Sequence, residues 1–287
     1  MLKLVLGTVQ FGLPYGINNQ SGVPTDDELR EIFNTAKEAG IEILDSAQGY
    51  GNAEERLGKL SKNEFKIITK FKNLKSPYPF HTELAESLLK LKSESVYAYM
   101  AHDGNLLIEN PSWWEGLQIA KERGLIKKIG YSLYSVGQLE TLFANNMIPD
   151  IIQFPYNILD RRFESFLPIL ATLGVEIHTR SVYLQGLLQM DPNRISNQFS
   201  PLQPHLSLIR EIALKNELSI GQICLGFAIN NIFIHKVVIG IDNLFQLKEN
   251  ISICQKTHLS VPLMNELNTI EVKDISLLNP TNWKQVI

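Results

Sequence analysis

Cysteine, long apolar runs and clustered basic residues are all scarce in this chain of 287 residues. The two cysteines, Cys224 and Cys254, cannot build a disulfide scaffold, and their apolar neighbours favour buried free thiols in a reducing compartment. The apolar runs are strand-sized, far below the roughly 20 residues that a membrane-spanning helix needs. No Lys/Arg-rich tract occurs and the formal net charge is −3, which argues against nucleic acid. We therefore expect a cytoplasmic protein without a nucleic-acid or membrane partner.

Two cofactor signals are also missing. The segment at residues 7–12, Gly-Thr-Val-Gln-Phe-Gly, does not match the Gly-x-Gly-x-x-Gly fingerprint that doubly wound dinucleotide domains carry after their first strand. The six histidines are scattered, so no metal-ligand cluster is predicted. The apolar stretch at residues 2–6 is too short for a signal peptide and predicts a strand instead.

Short apolar segments alternate with amphipathic segments along the whole chain. They predict eight strands, around residues 5–6, 41–45, 65–70, 96–102, 126–131, 150–154, 175–180 and 236–240. Alternation without hairpin turns favours a parallel sheet with right-handed crossovers. Eight such units can close into a barrel or form an open doubly wound sheet, and the missing fingerprint favours the barrel. We predict an α/β fold, a single (β/α)8 TIM barrel over residues 1–287, a length that suits a barrel of about 250 residues.

Capping boxes mark where several helices begin. Thr25 with Glu28 predicts a helix that ends at Gly40. The same pairing recurs in four places: Asn52 with Glu55, Ser135 with Gln138, Ser219 with Gln222, and Asn243 with Gln246. Residues 190–204, rich in Asn, Pro and Ser, interrupt the alternation, and they form either a loop over the active site or a surface insertion.

Four polar residues follow three consecutive predicted strands: Asp45, Tyr50, Lys70 and His102. The carboxyl ends of parallel strands share one rim of the sheet, so these side chains can meet there. Taken singly, an aspartate could cap the loop, a tyrosine could lie on the rim, a lysine could be solvated and a histidine could be a core residue. Their joint occurrence favours a site, because an inward lysine needs an anion nearby and Asp45 supplies one.

These groups suit the reduction of a carbonyl. Hydride transfer to the carbonyl carbon leaves charge on oxygen, which must then receive a proton. Tyrosine has a pKa of about 10 and is a weak acid near neutrality. We expect Lys70 to lower the pKa of Tyr50, Asp45 to hold Lys70 charged and oriented, and His102 to hydrogen-bond the carbonyl oxygen.

At these positions the sequence resembles the aldo-keto reductases, in a bacterial-type form. Order and spacing match over nearly the whole chain, in the segments Gly7–Gly12, Leu44–Glu54, Thr69–Lys70, His102, Lys121–Ser132, Gln153–Asn157, Arg180–Leu188 and Gly240–Asn250. The resemblance implies a barrel that binds a nicotinamide cofactor across its carboxyl rim. It also implies that Asp45, Tyr50, Lys70 and His102 are the catalytic tetrad, with Tyr50 as the proton donor.

The resemblance further implies a set of cofactor-binding positions. Ser132 and Gln153 match residues that grip the nicotinamide carboxamide. Ser181, Leu184 and Gly186 match the loop along the pyrophosphate. The remaining positions are Gly7 and Thr8 after the first strand, Arg180 at the end of the seventh, and Gly240, Asp242, Gln246, Glu249 and Asn250 towards the adenosine end.

Three departures from the family pattern matter. Leu133 stands where many members have Asn, which removes one polar contact to the nicotinamide. Arg180 replaces an aromatic that stacks on the nicotinamide, and it could stack on a ring, bind an anionic substrate group or form a structural salt bridge. No Lys or Arg lies between Gly240 and Gln246, and Asp242 would favour a free ribose hydroxyl over a 2′-phosphate. Family habit therefore predicts NADP(H), whereas the local residues favour NAD(H) or dual use.

The predicted function is NAD(P)H-dependent reduction of an aldehyde, ketone or sugar carbonyl, with a small-molecule carbonyl compound as the partner. Two alternatives are a non-catalytic regulatory barrel that senses redox state and an aldolase or lyase that uses Lys70 as a Schiff base. The aldolase has little support, because Asp45 should keep that lysine protonated. No long tail follows Asn250, which predicts an open pocket for bulky or polar carbonyls, a sugar derivative among them.

Overall fold

The computed structural model describes residues 2–61, 63–72 and 79–283. Its eight strands are all parallel and close into one barrel in sequence order, which confirms the predicted (β/α)8 fold. The strands are β1 (Leu4–Gly7), β2 (Ile43–Asp45), β3 (Lys66–Phe71), β4 (Val96–Ala101), β5 (Ile126–Ser132), β6 (Ile151–Pro155), β7 (Glu176–Arg180) and β8 (Lys236–Ile239).

Helices connect the strands on the outside of the barrel. Those in the described residues are α1 (Val9–Gly12), α2 (Asp26–Glu38), α3 (Ala53–Leu60), α4 (Pro79–Leu91), α5 (Asn105–Glu109), α6 (Ser112–Glu122), α7 (Val136–Ala144), α8 (Leu167–Thr172), α9 (Gln203–Lys215), α10 (Ile220–Asn230), α11 (Leu244–Lys256) and α12 (Val261–Asn268). Short 3-10 turns cover Glu164–Phe166, Leu184–Gln189, Asn197–Leu202, Ile275–Leu278 and Pro280–Asn282. Among the described helices, none alone is long and apolar enough to cross a bilayer, although the bent pair Asn197–Lys215 and Ile220–Asn230 meets that test together.

Two apolar layers hold the barrel together. Strand residues that point inward fill its interior, namely Val5, Ile43, Ile68, Ala98, Met100, Ile151 and Val238. A larger cluster lies between the strands and the surrounding helices. The strands approach each other closely at Gly130, where an added Cβ would lie 1.8 Å from the Ile151 carbonyl oxygen. Because the interior is filled, a ligand can enter only at the ends of the barrel.

The capping predictions are largely confirmed. Thr25, Ser135 and Ser219 form complete capping boxes with Glu28, Gln138 and Gln222, and α2 ends before Gly40, which has φ +81°. The Asn243 side chain accepts from the Gln246 backbone N–H, but the Gln246 side chain turns to Asp242 instead of completing the box. The box predicted at Asn52 is wrong: with φ −96° and ψ 18° Asn52 is not extended, and its side chain makes no capping hydrogen bond.

Candidate active site

The barrel brings the four predicted catalytic residues together at its carboxyl rim. Asp45 ends β2, Lys70 lies near the end of β3, and His102 follows β4, where its backbone N–H donates to the Phe71 carbonyl at 2.9 Å. The Tyr50 ring meets the His102 ring edge-on, with centroids 5.6 Å apart, and Lys70 Nζ lies 5.7 Å from the centroid of the Tyr50 ring. The carboxylate, phenol, ammonium and imidazole therefore form one cluster.

Lys70 and Asp45 form a buried ion pair at the base of this cluster. Lys70 Nζ lies 2.6 Å from Asp45 Oδ2, and the two side chains are 1% and 4% exposed. Lys70 also donates to the Ser46 carbonyl at 3.1 Å, and Gln153 Nε2 donates to the other carboxylate oxygen at 3.0 Å. Burial lowers the pKa of Lys70, while the charge and hydrogen bond of Asp45 oppose that shift. The predicted pairing of these residues is therefore present.

A tight contact between the end of α1 and the loop after β2 fixes the position of Tyr50. An added Cβ on Gly12 would lie 1.9 Å from the Tyr50 carbonyl oxygen, and one on Gly51 would lie 2.4 Å from the Gly12 carbonyl oxygen. Gly51 also has φ +59°, a conformation that side-chain-bearing residues rarely adopt. Glycine is thus needed on both sides of this contact so that the Tyr50 side chain is presented to the rim.

The electrostatic effect on Tyr50 differs from the expectation. Burial and the negative charge of Asp45 raise the pKa of Tyr50 well above its ordinary value, and Arg180 opposes the shift. The expected lowering by Lys70 is absent: Lys70 is paired with Asp45 at 2.6 Å, and after burial it is the Asp45 charge, not that of Lys70, that shifts the pKa of Tyr50. Tyr50 is therefore a fully protonated phenol at neutral pH.

His102 is a neutral imidazole in this environment. Burial, followed by the positive charges of Lys70, Arg180 and Lys72, lowers its pKa to about 3. Its Nδ1 is buried and has no hydrogen-bond partner among the described residues. A neutral ring of this kind can orient a substrate oxygen by a hydrogen bond, but it cannot supply a positive charge.

Above the cluster lies a cavity of about 1280 Å³, lined by most of the predicted cofactor-binding residues. These are Gly7, Thr8, Ser132, Gln153, Arg180, Ser181, Gly186, Gly240, Asp242 and Gln246. Three predicted positions do not line it. Leu184 is fully buried, Glu249 is exposed on α11, and the side chain of Asn250 accepts from the Tyr183 hydroxyl at 2.5 Å and donates to the Gln246 carbonyl at 2.7 Å. Packing within the protein thus occupies Leu184 and Asn250.

The cavity fits an extended dinucleotide. It exceeds the roughly 300–1,000 Å³ of ordinary small-molecule pockets. Ser132 and Gln153 are paired in register on neighbouring strands and present buried polar groups to it. At Gly240 an added Cβ would lie 2.6 Å from Gln10 Nε2, and Gln10 Oε1 is buried with no hydrogen-bond partner among the described residues. The cavity therefore has the volume, polar groups and close backbone approach that such a cofactor requires.

The loop after β7 has an unusual backbone. Ser181, Leu184 and Gln185 have φ of 63°, 49° and 55°, and Gly186 has φ 91°. At Gly186 an added Cβ would lie 2.9 Å from Asn18 Cβ, so the loop packs closely against the segment after β1. Gln185 Nε2 also donates to the Tyr15 hydroxyl at 2.7 Å, which joins the two sides of the cavity mouth.

Arg180 stacks on a protein ring. Its guanidinium carbon lies 4.4 Å from the centroid of the Tyr134 ring. Nη2 donates to the Leu133 carbonyl at 3.0 Å, and the contacts to the hydroxyls of Ser132 and Ser181 are longer, at 3.4 and 3.5 Å. Within the part of the chain that the structure describes, no carboxylate pairs with it, so the structural salt bridge is not formed there.

One wall of the cavity comes from residues after the last barrel helix, which the sequence analysis missed. Residues 275–276 and 279–283 line the cavity, so the chain beyond Asn250 does contribute to it, and the open pocket stays a prediction. Trp283 packs edge-on against Phe199, with centroids 4.7 Å apart, and Arg162 donates to the carbonyls of Tyr134 and Ile275. The stretch at residues 190–204 therefore supports a wall of the site. No local motif marked these contacts, because they join distant parts of the chain.

Asp242 and Gln246 form the other end of the cavity. Gln246 Oε1 accepts from the Asp242 backbone N–H at 2.8 Å, and Gln246 Nε2 donates to the Asp242 carboxylate at 3.2 Å. Burial raises the pKa of Asp242, and the hydrogen bond from Gln246 opposes this shift. No cation of the described residues forms an ion pair with this carboxylate.

The barrel carries a cofactor-sized cavity at its carboxyl rim, and the cluster of Asp45, Tyr50, Lys70 and His102 lies at the base of that cavity. This combination is typical of nicotinamide-dependent oxidoreductases. The sequence model of the aldo/keto reductase family matches residues 3–271. The chain belongs to that family, which places it among the NAD(P)-dependent oxidoreductases.

Similar proteins occur in bacteria, in a fungus and in an insect. The uncharacterized oxidoreductase YqkF of Bacillus subtilis is 24% identical over 96% of this chain and 98% of its own length. The oxidoreductase sirO of Leptosphaeria maculans is 28% identical over 64% of this chain, and the match spans only 60% of that protein. An NADH-specific methylglyoxal reductase of Escherichia coli is 28% identical over 66% of this chain and 69% of its own length.

A solved structure shares the fold. The aldo-keto reductase AKR11C1 from Bacillus halodurans, in its holo form, superposes with a TM-score of 0.77 at 20% identity, covering 95% of this chain and 94% of that one. At this identity the likeness concerns the fold alone.

Proposed function

We propose that the chain reduces aldehyde or ketone carbonyls, sugar carbonyls included, with a reduced nicotinamide cofactor, and that Tyr50 delivers the proton. The observation that carries this proposal is the convergence of Asp45, Tyr50, Lys70 and His102 at the base of one cofactor-sized cavity. Family membership supports it, because it supplies the class of reaction.

The bound cofactor would supply the hydride, and the residues of the chain handle the oxygen. A neutral His102 donates a hydrogen bond to the carbonyl oxygen and fixes its position beside the Tyr50 hydroxyl. Tyr50 remains protonated until charge develops on that oxygen, and then transfers its proton to it. Asp45 keeps the Lys70 ammonium next to the Tyr50 ring, where its charge offsets part of the repulsion between the Asp45 carboxylate and the phenolate that remains. A raised phenol pKa suits this role, since the developing alkoxide is a much stronger base.

We further propose that the chain uses NADH at least as well as NADPH. The carboxylate of Asp242 lines the cavity end where the adenosine ribose is expected, and a 2′-phosphate would be repelled there. The Escherichia coli relative described as NADH-specific supports such a preference within the family. A fluorescence titration with both cofactors tests this proposal, and a clear preference for NADPH would contradict it.

Tyr50→Phe tests the catalytic assignment. General acid catalysis typically contributes about 10²–10⁴-fold, so we expect kcat/KM for a carbonyl substrate to fall by that factor. The dissociation constant of the cofactor should change little, because the substitution removes only the hydroxyl. Turnover retained by Tyr50→Phe would remove Tyr50 as the acid. Cofactor binding without turnover of any carbonyl by the wild-type protein would favour the regulatory barrel.

A further inference from the structure

The guanidinium of Arg180 is a half-buried cation without a counter-ion in the described part of the site. The groups in direct contact with it are neutral: the face of Tyr134, the Leu133 carbonyl and the hydroxyls of Ser132 and Ser181. Only the bond to Leu133 is short. A guanidinium carries five N–H donors in a planar fork; three of them make these contacts, two of which are long, and two have no partner among the described residues. Burial raises the pKa of Asp160 and the charge of Arg180 opposes that rise, but Arg162 forms the ion pair with this carboxylate.

The other charged residues that line the cavity are engaged elsewhere or lie in water. Arg162 forms a two-point ion pair with Asp160, at 2.7 and 2.9 Å. Asp103 accepts from Gln138 Nε2 at 2.5 Å, and Lys72 is an exposed side chain. Among the cations that line the cavity, Arg180 is therefore the half-buried one that forms no ion pair with a carboxylate of the described residues.

The charge of Arg180 reaches the reacting groups. It lowers the pKa of His102, as Lys70 and Lys72 do, and it opposes the rise in the pKa of Tyr50. His102 is therefore within reach of three positive charges, those of Lys70, Arg180 and Lys72. Arg180 is also fixed from two sides, by the ring of Tyr134 and by the Leu133 carbonyl, so a fork in this position pays little additional entropy on binding an anion.

Resting on the proposed function, we propose that Arg180 is a specificity-determining residue that selects carbonyl substrates bearing an anionic group, a carboxylate or a phosphate. The anion would occupy the open side of the guanidinium fork, with the carbonyl oxygen between Tyr50 and His102. Planar bidentate recognition of such groups is what arginine does best. A neutral substrate of the same shape would leave this cation unpaired.

Matched pairs of substrates test the proposal: 4-formylbenzoate against its methyl ester, and 4-oxobutanoate against its methyl ester. The readout is the ratio of kcat/KM between the acid and the ester, which cancels any effect of Arg180 on the cofactor. We expect the wild-type ratio to favour the acids, and Arg180→Met to lower it by about tenfold or more, the loss expected for a hydrogen bond to a charged group. Arg180→Lys keeps the charge but not the fork, and should restore the ratio in part.

Lys72→Met is the matched comparison, because it removes one positive charge from the same cavity at an exposed position. Its effect on the ratio should be less than about threefold, since water screens exposed charges. An equal effect of both variants, or an equal loss of acid and ester turnover in Arg180→Met, would overturn the proposal. An equal loss of acid and ester turnover would indicate that Arg180 binds the cofactor, and a rise in the cofactor dissociation constant of Arg180→Met would verify that role.

A binding measurement separates this proposal from the proposed function. Calorimetric titration of the wild-type protein with benzoate and succinate, with NADH present, needs no turnover. Arg180-dependent binding without reduction of any carbonyl would support the anion site and contradict the reductase. Reduction of the esters with no acid preference and no binding of either anion would contradict the anion site and support the reductase.

Discussion

The buried ion pair between Lys70 and Asp45 allows a quantitative test of the electrostatics of the site. Asp45→Asn keeps the shape of the side chain but removes the negative charge 2.6 Å from Lys70 Nζ. Removing one partner of a buried pair costs about 3–5 kcal/mol, because the other charge is left without compensation. With an unfolding entropy of about 2.1 cal/mol/K per residue, a chain of this length should show a fall in Tm of roughly 5–8 °C.

The cost of Asp45→Asn should depend on pH in a defined direction. Burial already lowers the pKa of Lys70, and without Asp45 nothing in the pair opposes that shift. Between the folded pKa and the unfolded pKa of Lys70, the unfolded chain binds more protons, so the free energy of unfolding rises with pH across that window. We therefore expect the stability difference between wild type and Asp45→Asn to be largest at about pH 7 and to shrink towards about pH 10.

Thermal unfolding followed by circular dichroism measures these differences, and an exposed ion pair provides the control. Lys215 Nζ lies 2.8 Å from Glu266 Oε1, with side chains 67% and 37% exposed, so the two pairs differ mainly in burial. Lys215→Met should cost less than about 1 kcal/mol. The reasoning fails if Asp45→Asn costs no more than Lys215→Met at neutral pH, or if its cost does not change with pH.

Two further predictions concern protonation and cofactor choice. With the pKa of His102 at about 3 and that of Tyr50 raised, kcat/KM should stay flat from about pH 5 to pH 9. A limb near the ordinary histidine pKa of about 6.5 that disappears in His102→Gln would contradict this. Asp242→Asn should tighten NADPH binding by about tenfold, a typical charge-assisted contribution, while changing NADH binding much less. Fluorescence titration measures both constants, and an unchanged ratio would exclude Asp242 as the discriminating residue.

Local patterns in the sequence predicted the barrel well. Most strands contain a short apolar run, although β7 (Glu176–Arg180) has a single apolar residue, Ile177. Each confirmed capping box, such as Thr25 with Glu28, is a pairing three residues apart. Asn52 failed because it follows Gly51 at φ +59°, so the chain enters α3 through a tight turn and not from an extended residue. The rule of the capping box needs an extended first residue, which a residue count does not reveal.

The contacts among the site residues were predicted better than their energetics. Lys70 and Asp45 meet because neighbouring parallel strands end at the same rim, and sequence order determines this. The pKa of Tyr50 depends on burial and on the sum of nearby charges, which no motif encodes. The wall at residues 275–283 was missed for a related reason: its contacts with Phe199 and Arg162 join segments roughly 80 and 110 residues apart, and no periodicity marks such a pairing.

The wall supported by Trp283 and Phe199 shapes the substrate pocket, whereas the cluster around Tyr50 transfers the proton. Both residues lie outside the eight strands, and neither belongs to the cluster around Tyr50. Exchange of residues 190–204 and 275–283 between related proteins would therefore change the shape of the substrate pocket and leave the proton-transfer residues in place. Sequence changes that alter the substrate range of related proteins would then lie mainly in these segments outside the strands.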